Sequence, residues 1–278
     1  MSREVFSPKT DIIFKKMFTE NRDMLHNFLA AMLGIPEDDI SDINMIKDEI
    51  PPEDLSGKFT RFDLSMTVDE RLVNVEVQVK HDANFRDRAL LYWAKLFSSG
   101  IKSGEEYDAL KQTITINIIN FKMFRDKNFH HEVNPVVKDT GEIFSDKFVL
   151  HFMELGKLKK TINTEDMREL WLQFINAESE EVFRMIEQTN IPIMKKAVRV
   201  VYDMSEETAV KEAVRRREKA LHDEATAIGA ATRKGMAKGL AKGRTEGKAE
   251  GRAERDIEFA AKLRAKGMSE EEIKEFLE

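Results

Sequence analysis

Two stretches between residues 62 and 80 alternate between apolar and polar side chains. The apolar positions are Phe62, Leu64, Met66 and Val68 in the first stretch, and Val73, Val75, Val77 and Val79 in the second. A period of two is typical of a strand with one buried face. Residues 69–71 separate the stretches and can form a turn, so the pattern predicts a β-hairpin.

Helical and strand patterns alternate through the first 155 residues and then change. Helices are predicted at about 8–18, 23–34 and 85–100, and further strands at 40–46, 111–121 and 144–155. Gly34 is a candidate C-cap of the second helix. After residue 164 only helical patterns remain. This order favours an α/β or α+β fold followed by a helical region.

The last fifth of the chain has a glycine at every fourth position from Gly235 to Gly251. Residues four apart lie on nearly one face of a helix, but each glycine costs about 1 kcal/mol relative to alanine. Two interpretations stay open: a frayed charged linker, or a stalk in which the glycine stripe lets partner helices approach closely. Eight Lys or Arg against three Glu in residues 229–255 also suit contact with a phosphate backbone. Ser269 and Glu272 predict a capping box before a last short helix.

Composition limits the partners and the location that can be expected for this protein. The charged fraction is 35%, above the usual 25% or so, and the net charge of −6 argues against a basic surface over the whole protein while leaving room for a local basic groove. The absence of cysteine excludes disulfides and thiolate zinc sites and favours a cytoplasmic location. No signal peptide or run of about 20 apolar residues is found, so no membrane association is expected. His130 and His131 are assigned to a loop, and no zinc-binding histidine spacing occurs.

The polar face of the predicted hairpin is a candidate for chemistry. Glu76, Gln78 and Lys80 share one face of the second strand, and Asp63 can join them from the first. Two carboxylates from adjacent strands can ligate Mg²⁺, which polarises a phosphoryl oxygen and lowers the pKa of a bound water. The alternative is that these residues are the solvated face of an antiparallel strand.

A set of ordered motifs resembles a known family. Asp63, then Glu76-Val77-Gln78, then a helix over residues 88–96 resembles the bacterial recombination-promoting nuclease and transposase family of the PD-(D/E)XK superfamily. Residues 9–18, 114–121 and 152–158 and the glycine-rich tail are similar to the same family. The resemblance implies a restriction-endonuclease-like mixed sheet flanked by helices. It also implies cleavage of DNA phosphodiesters with Mg²⁺, or alternatively Mn²⁺, in recombination or in defence against mobile DNA.

The resemblance also implies roles for individual residues. Asp63 and Glu76 are the expected metal ligands. Gln78 stands where the superfamily has lysine, and a neutral amide cannot supply that positive charge, so Lys80 is expected to replace it. Asp11 is the expected additional acidic residue, although an acidic residue at a helix N-terminus also complements the macrodipole. Arg88 and Tyr92 can line the site, while core packing is favoured for Tyr92 and its neighbour Trp93.

These inferences predict three segments: a nuclease core at 1–160, a helical extension at 161–228, and a charged helical tail at 229–278 that forms homo-oligomers. The predicted function is a metal-dependent DNA endonuclease. A protein of another class is the alternative, namely a catalytically silent DNA-binding or assembly protein that keeps the nuclease fold. Gln78 and the net charge of −6 motivate that alternative.

Overall fold

A computed structural model describes residues 5–46, 49–50, 60–61 and 63–277, so the predicted strand residue Phe62 lies outside the described residues. The helices are α1 Asp11–Glu20, α2 Arg22–Leu33, α3 Phe85–Ser99, α4 Met167–Ile175, α5 Glu180–Glu187, α6 Pro192–Glu206, α7 Thr208–Ala265 and α8 Glu270–Leu277. The strands are β1 Ile43–Met45, β2 Glu49–Ile50, β3 Thr60–Arg61, β4 Leu64–Val68, β5 Arg71–Gln78, β6 Thr113–Ile119, β7 His130–Val133 and β8 Phe148–Glu154.

Six of these strands form one mixed sheet in the order β1-β4-β5-β6-β8-β7. The central strands β5, β6 and β8 run parallel, and the outer pairs are antiparallel. Parallel neighbours need a crossover connection, and α3 lies in the one between β5 and β6. The predicted hairpin is confirmed as β4–β5, with Leu64 opposite Val75. The predicted fold, a mixed sheet flanked by helices with a helical region after it, is therefore confirmed.

Edge strand β7 corrects the prediction that His130 and His131 lie in a loop. It has four residues, and His131 pairs with Phe152 of β8. Its sequence is short and polar and lacks a strand pattern. Its conformation therefore depends on pairing with β8. Because β8 lies well over ten residues further along the chain, a local sequence pattern does not predict this strand.

Helices cover both faces of the sheet. On one face α1, α2 and α4–α6 share a single hydrophobic core with strand residues such as Val75 and Ile118. On the other face Phe85 and Ala89 of α3 pack against Ile119. Neighbouring residues of β6 thus pack into the hydrophobic clusters on opposite faces of the sheet, as expected for a strand buried on both sides. Helices from the predicted extension are consequently part of the same core as the sheet.

The chain divides into two compact units, one ending at Val214 and the other running from Arg215 to Glu278. Val210 and Val214 at the start of α7 are still buried in the core of the first unit. This division falls between the predicted boundaries after residues 160 and 228, and the three-segment organisation stays a prediction. A membrane-spanning helix would need a longer apolar stretch than any helix in the described part of the chain contains.

In the second unit, the glycine-rich segment is helical throughout and belongs to α7. Beyond the adjacent backbone of the helix itself, a Cβ added at any of the five regularly spaced glycines would meet no atom of the described residues within 4 Å. The predicted capping box at the start of α8 is confirmed: Ser269 N donates to Glu272 Oε2 at 2.9 Å, and Glu272 N donates to Ser269 Oγ at 3.4 Å. Gly267, at φ 86°, provides the left-handed residue between α7 and α8.

A chain of hydrogen-bonded polar groups on β7, β8 and α4 makes a contribution to stability that depends on pH. Arg168 Nη1 donates to His130 Nδ1 at 2.9 Å, and His130 Nε2 lies 2.9 Å from His151 Nδ1. Since arginine only donates, His130 must accept at Nδ1 and carry its proton on Nε2. His130 Nε2–H then donates a hydrogen bond to His151 Nδ1. Burial and then the charge of His130 lower the pKa of His151 from 6.5 to about 4.

We therefore expect the contribution of His151 to stability to be lost as the pH drops from about 6.5 towards 4. The unfolded chain takes up a proton at this residue first, so His151 by itself favours unfolding by about 2 kcal/mol at pH 5 relative to pH 8. The buried carboxyl of Glu76, whose pKa is raised to about 8, acts in the opposite direction over this range, so the His151 contribution is measured against a variant. His151→Asn keeps an acceptor in the Nδ1 position without a titrating ring. Urea unfolding of both proteins at pH 8 and pH 5 should show that the change in stability from pH 8 to pH 5 is more favourable in the variant than in wild type by about 2 kcal/mol. An equal change in both proteins would contradict the prediction.

Candidate functional site

Two carboxyl groups lie side by side where β4 and β5 meet. The ladder pairs Leu64 with Val75, so Asp63, the preceding residue, comes opposite Glu76. Val77 N donates to Asp63 Oδ2 at 2.8 Å, and the Asp63 backbone N–H donates to the Glu76 carboxyl group. Each carboxyl is therefore held by the backbone of the other strand. The hairpin positions both without help from a loop.

Glu76 is in an environment that disfavours its negative charge. Its side chain is 9% exposed, and its Oε2 is buried without a hydrogen-bond partner among the described residues. Burial, and then the charge of Asp63, raise the pKa of Glu76 to about 8, against the opposing charges of Arg88 and Lys15. A buried carboxyl with an unused oxygen beside a second carboxyl suits a hard cation, which takes oxygen ligands.

This pair fits Mg²⁺ or Mn²⁺ by its donor atoms. Within the described ranges, no cluster of three or more His, Cys, Asp or Glu could hold a metal ion. Mg²⁺ keeps several waters and is commonly bound through one or two carboxylates together with substrate phosphates. Asp63 and Glu76 therefore supply enough protein ligands for such an ion.

Gln78 faces α3, on the same side of the sheet as Glu76, and both ends of its amide are engaged. Its Oε1 accepts from Arg88 Nη2 at 2.6 Å, and its Nε2 donates to the Lys80 carbonyl oxygen at 2.7 Å. Arg88 Nη1 in turn donates to Asp82 Oδ2 at 3.0 Å. The structure thus links β5, the segment after it and α3 through one guanidinium group.

Lys80 differs from its predicted position. The alternating pattern extends to this residue, but β5 ends at Gln78, and both Val79 and Lys80 are exposed. The last ladder contact at this edge is Asn120 N donating to the Gln78 carbonyl oxygen at 3.0 Å. The prediction that Lys80 continues the strand face was therefore wrong, because the chain leaves the sheet at this point to begin α3.

Asp11 is the first residue of α1, and its side chain is half-buried. Lys15 follows one helical turn later, on the same face. Because the charge of Lys15 lowers the pKa of Glu76, this face of α1 lies near the carboxyl pair. Lys15 was not among the residues predicted from the sequence, although its spacing of four from Asp11 places the two on one face of a helix.

The two neighbouring aromatic residues of α3 have different surroundings. Trp93 stacks on Phe97 with centroids 4.7 Å apart, and its Nε1 donates to the Thr113 carbonyl oxygen at 2.8 Å. It packs in the core, as predicted. Burial and then the charge of Glu76 raise the pKa of Tyr92, and Asp63 adds to this. Tyr92 packs against Leu72 and Leu96 at half burial, which agrees with the preference for core packing, and it also lies within electrostatic range of the carboxyl pair.

A cavity of about 210 Å³ opens at the carboxyl ends of β5 and β6. Its lining residues are His81, Asp82, Ala83, Phe85, Arg86, Phe121, Lys122 and Met123. The His81 and Phe121 rings meet edge to face with centroids 5.1 Å apart, and Arg86 and Lys122 are exposed cations at the cavity. Asp82, which pairs with Arg88, connects this cavity to the carboxyl site.

Comparison with known proteins gives one match. A family model described as PD-(D/E)XK nuclease family transposase matches residues 8–231, well over half of the chain. The matched range contains all of the candidate residues above. No curated protein matches the chain, and no solved structure does.

Proposed function

This chain belongs to the PD-(D/E)XK nuclease family transposases, and on that basis we propose that it is a metal-dependent endonuclease. Its substrate would be DNA, its reaction hydrolysis of phosphodiester bonds, and its role recombination or the movement of mobile DNA. The observation that carries the proposal is the Asp63–Glu76 pair, in which one oxygen of a buried carboxyl has no hydrogen-bond partner among the described residues and lies next to a second carboxyl.

In this proposal Asp63 and Glu76 hold the metal ion. When bound, Mg²⁺ or Mn²⁺ would polarise a phosphoryl oxygen and lower the pKa of a coordinated water. Backbone N–H groups of the hairpin orient both carboxyl groups. Gln78 orients Arg88, and Asp11 adds an acidic group from α1. The covering helix α3 leaves Glu76 largely shielded from bulk water, which strengthens electrostatic interactions at the site.

DNA would reach this site over a local surface, since the whole chain carries a net charge of −6. Arg86 and Lys122 are exposed at the cavity beside the site, with the Phe121 ring between β6 and α3. Cations next to aromatic rings suit a sugar–phosphate chain with its bases. The same surface would serve the alternative function, a silent DNA-binding protein.

Plasmid nicking by the full chain tests the proposal. We expect conversion of supercoiled DNA to the nicked form with Mg²⁺ or Mn²⁺, and none when EDTA removes the metal. A lack of cleavage with every divalent ion tested, together with DNA binding that weakens steeply with salt, would instead support the catalytically silent alternative.

We also propose that the second unit drives self-association. Ending the chain after Val214 keeps the first unit whole. Light scattering should then give a monomer, whereas the full chain should give a multiple of 32.1 kDa. An unchanged number of subunits after truncation would contradict this proposal.

Alanine at the five regularly spaced glycines separates the stalk from the linker interpretation. Each substitution raises helix propensity by about 1 kcal/mol, and the open space at these glycines leaves room for a Cβ on the helix as described. If partner helices approach along the glycine face, the added methyl groups should weaken association even though helicity rises. Association that stays unchanged while helicity increases would favour the linker.

A further inference from the structure

We propose that Arg88 supplies the positive charge at the scissile phosphate that Gln78 cannot supply. This inference rests on the proposed nuclease function and assigns a further catalytic residue to the same site. It replaces the expectation that Lys80 provides that charge.

The position of Arg88 is the first argument. Its guanidinium group donates to Gln78 Oε1 at 2.6 Å, so the cation sits at the side chain that occupies the lysine position of the superfamily. Its charge also acts on Glu76, where it is the largest influence that lowers the pKa and precedes that of Lys15. A positive charge is thus present at the site, although it comes from α3 rather than from β5.

The second argument is that the guanidinium is held in place but not saturated. Asp82 accepts from Nη1 at 3.0 Å, and the Phe85 and Tyr92 rings lie 4.9 Å and 5.8 Å from the guanidinium carbon. Nε is buried without a partner among the described residues. Buried donors are nearly always satisfied, and the side chain is still 29% exposed. Nη1 and Nη2 each use one N–H in the bonds to Asp82 and Gln78 and carry a second. An anion arriving at the carboxyl pair can therefore approach the exposed part of this group and accept from a donor that these two bonds leave over.

The third argument explains why residue 78 is glutamine. The Oε1 of Gln78 accepts the Arg88 N–H, whereas a lysine ammonium in that position only donates. A lysine would place a second cation against the guanidinium and remove its acceptor. Gln78 and Arg88 therefore fit together as a pair. With lysine at position 78, the guanidinium group of Arg88 would lose this acceptor. Lys80, by contrast, is exposed and contributes its backbone carbonyl to Gln78.

A charge-relocation experiment tests this assignment in the full-length protein. Arg88→Gln should lower the rate of Mn²⁺-dependent plasmid nicking by about 10²–10³-fold, the usual effect of losing one group that stabilises transition-state charge. Adding Gln78→Lys to that variant returns a cation to the site and should recover at least about tenfold. Gln78→Lys alone should reduce the rate, because it opposes Arg88. Arg184→Gln, an exposed arginine on α5 paired with Glu180, is the matched control.

Mn²⁺ affinity, measured by calorimetry without DNA, distinguishes a catalytic from a structural role. Removing a cation near Glu76 should leave Mn²⁺ binding by Arg88→Gln equal to or tighter than wild type. Weaker binding by tenfold or more would show that Arg88 supports the carboxyl pair structurally, and would overturn the assignment. Near-wild-type nicking by Arg88→Gln would also overturn it, as would a double variant no faster than Arg88→Gln.

The failure of the proposed function looks different. If wild type binds no Mn²⁺ and nicks no DNA, the nuclease proposal fails, and the Arg88 assignment that rests on it is overturned as well. A second outcome is that wild type is active, Arg88→Gln nicks DNA at the wild-type rate and Lys80→Gln nicks it slowly. In that case the nuclease proposal stands and the Arg88 assignment fails.

Discussion

Glu76→Gln is expected to lower metal-dependent DNA nicking by at least about a hundredfold. Loss of groups that merely support metal ligands already costs 10- to 100-fold, and here a ligand itself is changed. The amide is close in shape to the carboxyl and removes the negative charge that faces Asp63, so the fold should persist. The measurement is plasmid nicking with Mn²⁺ or Mg²⁺, combined with calorimetric titration of the metal.

The hairpin offers a matched control for this variant. Glu70→Gln makes the same chemical change at an exposed position in the turn between β4 and β5, and it should nick DNA at the wild-type rate. Asp63→Asn should behave like Glu76→Gln, since its amide oxygen can still accept from Val77 N while its charge is lost. Wild-type metal affinity in Glu76→Gln would exclude the metal site, whatever the nicking rate.

Trp171→Ala is expected to destabilise the first unit by about 3–5 kcal/mol, the usual cost of removing a large buried aromatic side chain. Trp171 is fully buried and meets the Phe18 and Phe28 rings, each with centroids 5.8 Å away. Its Nε1 donates to Asn27 Oδ1 at 2.7 Å. It therefore joins α4 to α1 and α2, and the substitution also leaves the Asn27 side chain without this donor.

Urea unfolding measures that loss. Tyr107→Ala removes an aromatic ring that is 84% exposed and should change stability by no more than about 0.5 kcal/mol. A chain ending at residue 160 would lack helices α4–α6, which form one side of the core, and it should therefore not fold. A loss below about 1 kcal/mol for Trp171→Ala would mean that α4 does not share that core.

The hairpin shows why part of the site was predictable. Alternation over β4 and β5 placed Glu76 and Gln78 on one face, and a short turn left antiparallel pairing as the simple arrangement. Asp63 then had to lie close to Glu76, whatever the rest of the fold. Local periodicity is sufficient here because the carboxyl pair is formed by residues only 13 positions apart.

The partners of this pair were harder to predict. Lys15 and Tyr92 reach Glu76 from two different helices, and no local pattern fixes where a helix lies over a sheet. Lys80 was predicted from the strand period, but the period continues past the residue where hydrogen bonding ends. The three-segment division was drawn where strand patterns end and where the glycine repeat lies, and it stays a prediction, while α4–α6 share one core with the sheet.

The sequence by itself determined the mixed α/β architecture, the hairpin with its acidic pair, the family, and the capping box of the last helix. Those features depend on periodicity and on contacts between residues close in sequence. Only the tertiary structure decided that α3 brings Arg88 onto Gln78, and that burial leaves one Glu76 oxygen without a partner in the described part of the chain. Both depend on how a helix packs across a sheet, and that packing follows from contacts made by the whole core.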